Sequence, residues 1–171
     1  MNIKTGIGQD SHRFENQKGK PLMLGGIRFT HPFGLEGNSD ADVVFHSITN
    51  SISSITGKNI LGDVADQLAQ NGHKDSSEYL KLALSDLAEW KINHIAVAIE
   101  CQTPKISPQI SAMKENIAQI CKINTTDIGI TATTGEDLTA FGKGEGIQAI
   151  TIITVSTVSY THLTLPTSYA V

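Results

Sequence analysis

Residues 94–100, HIAVAIE, run almost without polar interruption, and their length and content suit a buried strand better than a helix. A strand of this kind cannot stand alone. It needs hydrogen-bonded neighbours and a layer of structure over it, so the rest of the chain must supply both. DIGITATT at 127–134 and IQAITIITVSTV at 147–158 read as further strands, and residues 3–13 as one more extended segment. KPLMLGGIRF sets Gly25-Gly26 between two short apolar runs, a hairpin signal. Between these lie helical patterns. SDADVVFHSITNSISSIT carries Val43, Ile48, Ile52 and Ile55 at mostly helical spacing, with Ser39 as cap and Gly57 as stop. NILGDVADQLAQNGHKDSS is polar, with room for one short helix. SSEYLKLALSDLAEW places Leu80, Leu84 and Leu87 four and three apart, and SPQISAMKENIAQICKI has Pro108 in its first turn. Strands alternating with helices predict a single α/β (α+β) domain, a sheet with helices packed on one face.

The domain reading covers residues 1–158. Residues 159–171, SYTHLTLPTSYAV, are rich in Ser and Thr and continue no earlier pattern; they read as a tail, consistent with a non-native origin, and His162 is given no chemistry. The 171 residues suffice for a real core, and the 39% hydrophobic content is well above the disordered range. A net charge of −4 with 13 scattered Lys and Arg leaves no basic stripe for nucleic acid. No apolar stretch approaches the roughly 20 residues of a membrane span. Two cysteines, Cys101 and Cys121, make no disulfide framework. With no secretory run in MNIKTGIG, a reducing, cytoplasmic setting is the expectation.

Four stretches could carry chemistry. In GIGQDSHRF, Asp10 and His12 stand two apart, so an extended chain presents a carboxylate and an imidazole on one face. With His46 from the following helix they would make three ligands and an open position, the pattern of a catalytic zinc site. The plainer alternative is a solvated edge strand and a surface histidine. NSDADVVFH opens a helix whose free N–H groups suit an anion, or it is simply a good cap. In TATTGEDLTAFGKGEG, Thr133, Thr134, Glu136 and Lys143 could clamp phosphate and Mg²⁺, or belong to an ordinary turn. In CQTPKIS, Lys105 beside Pro104 fits a ligand loop or a plain turn, and Cys101 reads as a core thiol rather than a nucleophile.

Taken in order, D-x-H, NSDADVVFH, LGD, TPK and TATTGEDLTAFGKGEGI resemble the 2-C-methyl-D-erythritol 2,4-cyclodiphosphate synthase family of non-mevalonate isoprenoid biosynthesis, over residues 3 to about 157. That resemblance implies a homotrimer with active sites between neighbouring subunits. It also implies conversion of 4-diphosphocytidyl-2-C-methyl-D-erythritol 2-phosphate to the cyclodiphosphate with release of CMP, a phosphorus–oxygen lyase reaction. By the resemblance, Asp10, His12 and His46 hold Zn²⁺ or another divalent cation. Glu136 holds a second one, Mg²⁺ or Mn²⁺. Asn38 and Thr134 are implied as catalytic, beside the reacting phosphates, with Ser11 and Ser39 binding substrate. Asp63, with Val64 and Ala65, is implied to meet the erythritol hydroxyls. Cys101, Gln102 and Thr103, followed by Pro104, Lys105, Ile106 and Ser107, are implied to form the cytidine pocket. Thr133, Gly135, Ala140 and Lys143 are implied to line the nucleotide side.

Three features depart from the family. Asn38 stands where it usually has histidine. Asn50 replaces an aspartate expected to partner His46 or a neighbour, and QLAQNGHKD is shorter than the usual loop and lacks its proline. A metal-dependent phosphohydrolase on the same zinc site is a second enzymatic reading. A non-catalytic trimeric metabolite-binding protein is the reading from another class, with Asn38 and Asn50 as its best support.

Overall fold

β1 (Asn2–Arg13) is the long extended segment predicted at the start of the chain, and it pairs antiparallel with β6 (Gly146–Thr157), Asp10 opposite Ala149 and His12 opposite Ile147. A computed structural model describes residues 1–157; position 158 and the tail reading of 159–171, His162 included, lie outside the described residues. Gly25 and Gly26 join β2 (Leu22–Leu24) to β3 (Ile27–Phe29) with φ of 59° and 74°. Two left-handed residues in succession are what a two-residue hairpin turn demands, and glycine adopts them without a Cβ clash.

α1 (Val43–Thr56) begins later than its predicted cap. Ser39 does not cap it; Ala41, at φ 55°, breaks the helical path upstream. Asp42 is the cap, accepting from the backbone N–H of Val44 and Phe45 at 3.0 and 3.1 Å. The same carboxylate accepts from Gly25 and Gly26 at 2.9 and 2.7 Å, which pins the hairpin to the start of the helix. The N–H groups proposed from sequence as an anion site are thus occupied by the chain's own carboxylate. Gly57, at φ 74°, ends the helix as predicted.

α2 (Asp63–Gln70) is short and buries none of its residues. α3 (Ser76–Ser85) starts after Asp75, whose side chain accepts from Ser77 N–H. Leu80 and Leu87 are buried, although Leu87 lies just past the end of the helix. β4 (Lys91–Glu100) pairs antiparallel with β6 and parallel with β5 (Ile128–Thr133), making a mixed sheet in the order β1-β6-β4-β5. α4 (Ile110–Cys121) follows a separate 3₁₀ turn, Ser107–Gln109, which holds Pro108; the proline therefore precedes the helix instead of sitting in its first turn.

HIAVAIE, expected as a buried strand, is buried on one face only. Ile95, Val97 and Ile99 are buried, but Ala98 is exposed. Alanines at alternate positions make a half-buried strand look continuously apolar. In β6, Ile147, Ala149, Thr151, Ile153 and Val155 share the buried face, against which α1 packs. On the other face Ile3, Ile7 and Ile152 are exposed at 61%, 61% and 45%. The result is a single α/β domain, a mixed sheet with its helices.

Candidate active site

Gly6 and Gly8 bring α1 close to β1. They point toward the helix, and a Cβ on Gly8 would overlap the Ser47 carbonyl oxygen and the Ser51 nitrogen; one on Gly6 would overlap the Ser51 carbonyl oxygen. Only a strand without side chains at these positions lets the helix backbone approach this closely. Asn50 adds a tie, donating from Nδ2 to the Gln9 carbonyl at 3.0 Å. His46, one turn into α1, accordingly reaches the strand.

There it meets Asp10 and His12. Asp10 Oδ2 lies 2.9 Å from His46 Nδ1 and 3.1 Å from His12 Nε2. The two rings stand edge to face with centroids 5.7 Å apart. One candidate ligand atom from each residue falls within 4.8 Å of the others, and among the described residues this is the one such group of metal-binding side chains. His46 is buried, while Asp10 and His12 are half-buried. Burial alone would raise the Asp10 pKa, but hydrogen bonds and charge from His12 and His46 outweigh it and hold the carboxyl well below the usual range. The carboxylate is thus kept ionised as a ligand. Two imidazoles and one carboxylate, two of the three residues half-buried, fit a divalent cation.

Behind the cluster, His46 Nε2 is 2.8 Å from Ser76 Oγ, and Ser76 in turn bonds Asp40. Sequence reading named Asp40 only as part of a cap and Ser76 only as a helix start. Asn50 was expected to cost His46 a carboxylate neighbour, yet the imidazole keeps one directly in Asp10 and a second through Ser76.

The remaining expected residues fall into two groups. Asn38 flanks the cluster: neighbouring Gly37 lies against the His12 ring, and Asn38 Nδ2 is 3.5 Å from Asp66 Oδ1. Ser39 Oγ accepts from Ala41 N–H. Asp63, Val64 and Ala65 open α2, with Asp63 and Val64 exposed. Ser11, between Asp10 and His12, points to the opposite face of the sheet.

The second group sits at the C-terminal ends of β4 and β5, where ligand loops of parallel strands commonly lie. Cys101 N–H donates to the Thr133 carbonyl at 3.1 Å and Gln102 N–H to the Phe141 carbonyl at 3.0 Å. Gln102 Nε2 donates to Asp137 Oδ1 at 3.2 Å, and the Thr139 hydroxyl bonds Glu100. Thr134 Oγ1 donates to Glu136 Oε1 at 2.9 Å, and Gly135 N–H to Thr133 Oγ1 at 3.3 Å. Glu136 and Asp137 both have left-handed backbones, at φ 49° and 57°. Two such non-glycine residues together are strained and mark a tightly specified loop. Thr103, Pro104, Lys105, Ile106 and Ser107 continue from β4, with Ile106 buried; Ala140 and Lys143 lie on the facing loop. Burial first, then the charge of Glu100, push the Cys101 thiol up to about 11, which removes it as a nucleophile.

In one chain the two groups stand apart. β1 and β5 are separated by β6 and β4, three inter-strand spacings or roughly 14 Å. Glu136 is not among the residues clustered with Asp10, His12 and His46.

Known proteins resemble this chain in sequence and fold. The 2-C-methyl-D-erythritol 2,4-cyclodiphosphate synthase of Chlamydia muridarum is 50% identical over 155 residues, 89% of this chain and 87% of the relative. The enzyme of the same name from Chlamydia felis is 47% identical over 155 residues, covering 89% and 88%. Among solved structures, the bifunctional IspDF from Campylobacter jejuni matches at TM-score 0.80 and 30% identity over 94% of this chain, which spans 44% of that longer one. IspF of Plasmodium falciparum in complex with CDP matches at TM-score 0.78 and 25% identity, covering 92% of this chain and 97% of that one. The sequence profile of the YgbB family matches residues 3–156. On this match and these relatives, the chain belongs to the YgbB family.

Proposed function

We propose that this enzyme converts 4-diphosphocytidyl-2-C-methyl-D-erythritol 2-phosphate to 2-C-methyl-D-erythritol 2,4-cyclodiphosphate and CMP, a phosphorus–oxygen lyase step in isoprenoid precursor synthesis. The observation that carries the reading is the Asp10, His12, His46 cluster, in a chain 50% identical to a relative named for this activity. Asp10, His12 and His46 would hold Zn²⁺ and Glu136 a second, harder cation, Mg²⁺ or Mn²⁺. When bound, the metals supply Lewis acidity and positive charge to the diphosphate, which a chain of net charge −4 lacks.

The reaction forms a bond from a 2-phosphate oxygen to the β-phosphorus. The bond from that phosphorus to the oxygen bridging it to the α-phosphorus breaks, and CMP leaves with the bridging oxygen. No covalent enzyme intermediate is needed, so the protein's work is placement and charge stabilisation. Asn38 and Thr134 take the positions beside the reacting phosphates, Asn38 as a neutral amide donor. Ser39, together with Asp63, Val64 and Ala65, orients the erythritol end; Ser11, expected there by resemblance, faces the other side of the sheet and takes no part. The loop from Cys101 to Ser107 and the facing Thr133, Gly135, Ala140 and Lys143 hold the cytidine moiety. The working unit is read as the homotrimer that the family resemblance implies, with sites between neighbouring copies; the separation of the two residue groups in one chain supports a site shared across such a boundary. The exposed apolar sheet face bearing Ile3, Ile7 and Ile152 supports such packing.

Phosphorus-31 NMR of the substrate incubated with enzyme, Zn²⁺ and Mg²⁺ tests the reaction. Equal amounts of CMP and a cyclic diphosphate are expected. An open-chain phosphorylated product would instead mean water attack, and unchanged substrate no catalysis; either result overturns the reading.

A further inference from the structure

The His46 ring is engaged at both nitrogens. Nδ1 lies 2.9 Å from Asp10 Oδ2, on the side shared with His12, and Nε2 lies 2.8 Å from the oxygen of fully buried Ser76. That hydroxyl has a single proton to give, and it also touches Asp40 Oδ1, an acceptor when ionised. The Ser76 proton therefore goes to Asp40, leaving the Ser76 oxygen to accept from His46 Nε2–H. Asp40 is itself fixed. Its Oδ2 accepts from Ser76 N–H and its Oδ1 from Asp42 N–H, both at 3.3 Å, and its own N–H donates to the Lys74 carbonyl at 2.8 Å. The start of α3 does not call on the Ser76 hydroxyl, since Asp75 already caps that helix.

We infer that Ser76 and Asp40 are positioning residues for the metal centre: by accepting from His46 Nε2–H they hold the ring angle and leave Nδ1, the nitrogen facing Asp10, as the one that gives up its proton when a cation is bound. Imidazole ligands depend on such outer partners, which fix the tautomer and ring angle and raise the basicity of the ligating nitrogen. The usual partner is a carboxylate or carbonyl in direct contact. Here a buried hydroxyl transmits the carboxylate's pull. The inference rests on the reading of Asp10, His12 and His46 as a metal site.

Zinc affinity, measured by competition with a chromogenic chelator, is compared for the parent protein, Ser76→Ala and Asp40→Asn. Nitrogen-15 imidazole correlation spectra of the zinc-loaded proteins report the His46 tautomer. Ser76→Ala is expected to bind zinc about 10- to 100-fold more weakly, and to lose the slowly exchanging His46 Nε2–H signal, with little change in the melting temperature of the metal-free protein. Asp40→Asn keeps the shape but not the charge and should weaken binding at least about threefold. A purely structural role for Ser76 would lower the metal-free melting temperature and leave the Nε2–H signal in place. Parent protein that fails to bind zinc overturns the metal reading and the inference together. A parent that binds while Ser76→Ala matches it within about twofold, with the tautomer signal unchanged, overturns the inference alone. Should Ser76→Ala not fold, Asp40→Asn decides: affinity equal to the parent's overturns the proposal, and weakened affinity supports it.

Discussion

Substituting alanine for Gly8 is expected to remove a large part of the folding stability and to separate His46 from Asp10. The new Cβ would occupy space held by the Ser47 carbonyl oxygen and the Ser51 nitrogen, both helix backbone, which no rotamer change can move aside. α1 would have to shift away from β1, opening the contact that buries Ile48 and Ile52 and straining the Asn50 tie to Gln9. Overpacking against side chains commonly costs about 1–3 kcal/mol; against backbone, at least about 3 kcal/mol is expected. That is a large share of the ~5–15 kcal/mol available to a domain of this size. Gly129→Ala is the control, because its Cβ would meet nothing closer than His94 Cε1 at 3.8 Å. Denaturant midpoints should fall sharply for Gly8→Ala and stay within about 0.5 kcal/mol for Gly129→Ala. A Gly8→Ala protein with the parent's midpoint would mean that α1 does not lie on β1 in this way.

Glu136→Gln should lower the rate of cyclodiphosphate formation by about a hundredfold or more, roughly 2.7 kcal/mol of transition-state stabilisation, while zinc content and binding of CMP stay close to the parent's. A hard cation is commonly held by one or two carboxylates plus the substrate's own phosphate oxygens, so loss of this one charge removes most of the protein's share of the site. Glutamine can still accept the Thr134 hydroxyl bond at the same place, and the left-handed backbone is unchanged, so the loop should keep its shape. His12→Ala supplies the contrast. It should lose most of the zinc and the activity together. Glu136→Gln that turns over at the parent rate with Mg²⁺ present would reduce Glu136 to a surface charge.

How much of this was legible beforehand depends on the scale of the interaction. β1, the Gly25-Gly26 hairpin, the stop at Gly57 and the strands after Asp127 and Gly146 follow from local periodicity and turn chemistry, which act over a few residues. The α1 cap did not, because Ser39 and Asp42 are equally good caps by type; the left-handed Ala41 and the hairpin N–H groups choose between them. One-sided burial of β4 was hidden by Ala96 and Ala98, which are small enough to suit either face. In the site, the pairing of Asp10 with His12 is a two-residue periodicity and could be seen at once. The approach of His46 depends on Gly6 and Gly8 meeting a helix some forty residues later. Their alternation with Ile7 was the available signal, a strand with one face stripped for close packing. Ser76 and Asp40 gave no signal of their own, since serine and aspartate at helix starts are ordinary caps and only the tertiary fold brings them to His46.

The proposal that two separated residue groups make one site across a subunit boundary is tested most directly by mixing two inactive chains. His12→Ala chains keep the Glu136 loop, and Glu136→Gln chains keep the Asp10, His12, His46 cluster. Each alone should be inactive. Co-expressed, and with mixed assemblies confirmed by native mass spectrometry, they should regain about a quarter of the parent activity, because about one site in four then joins an intact cluster to an intact neighbouring loop. Activity that stays at the level of the single variants in verified mixed assemblies would contradict a shared site.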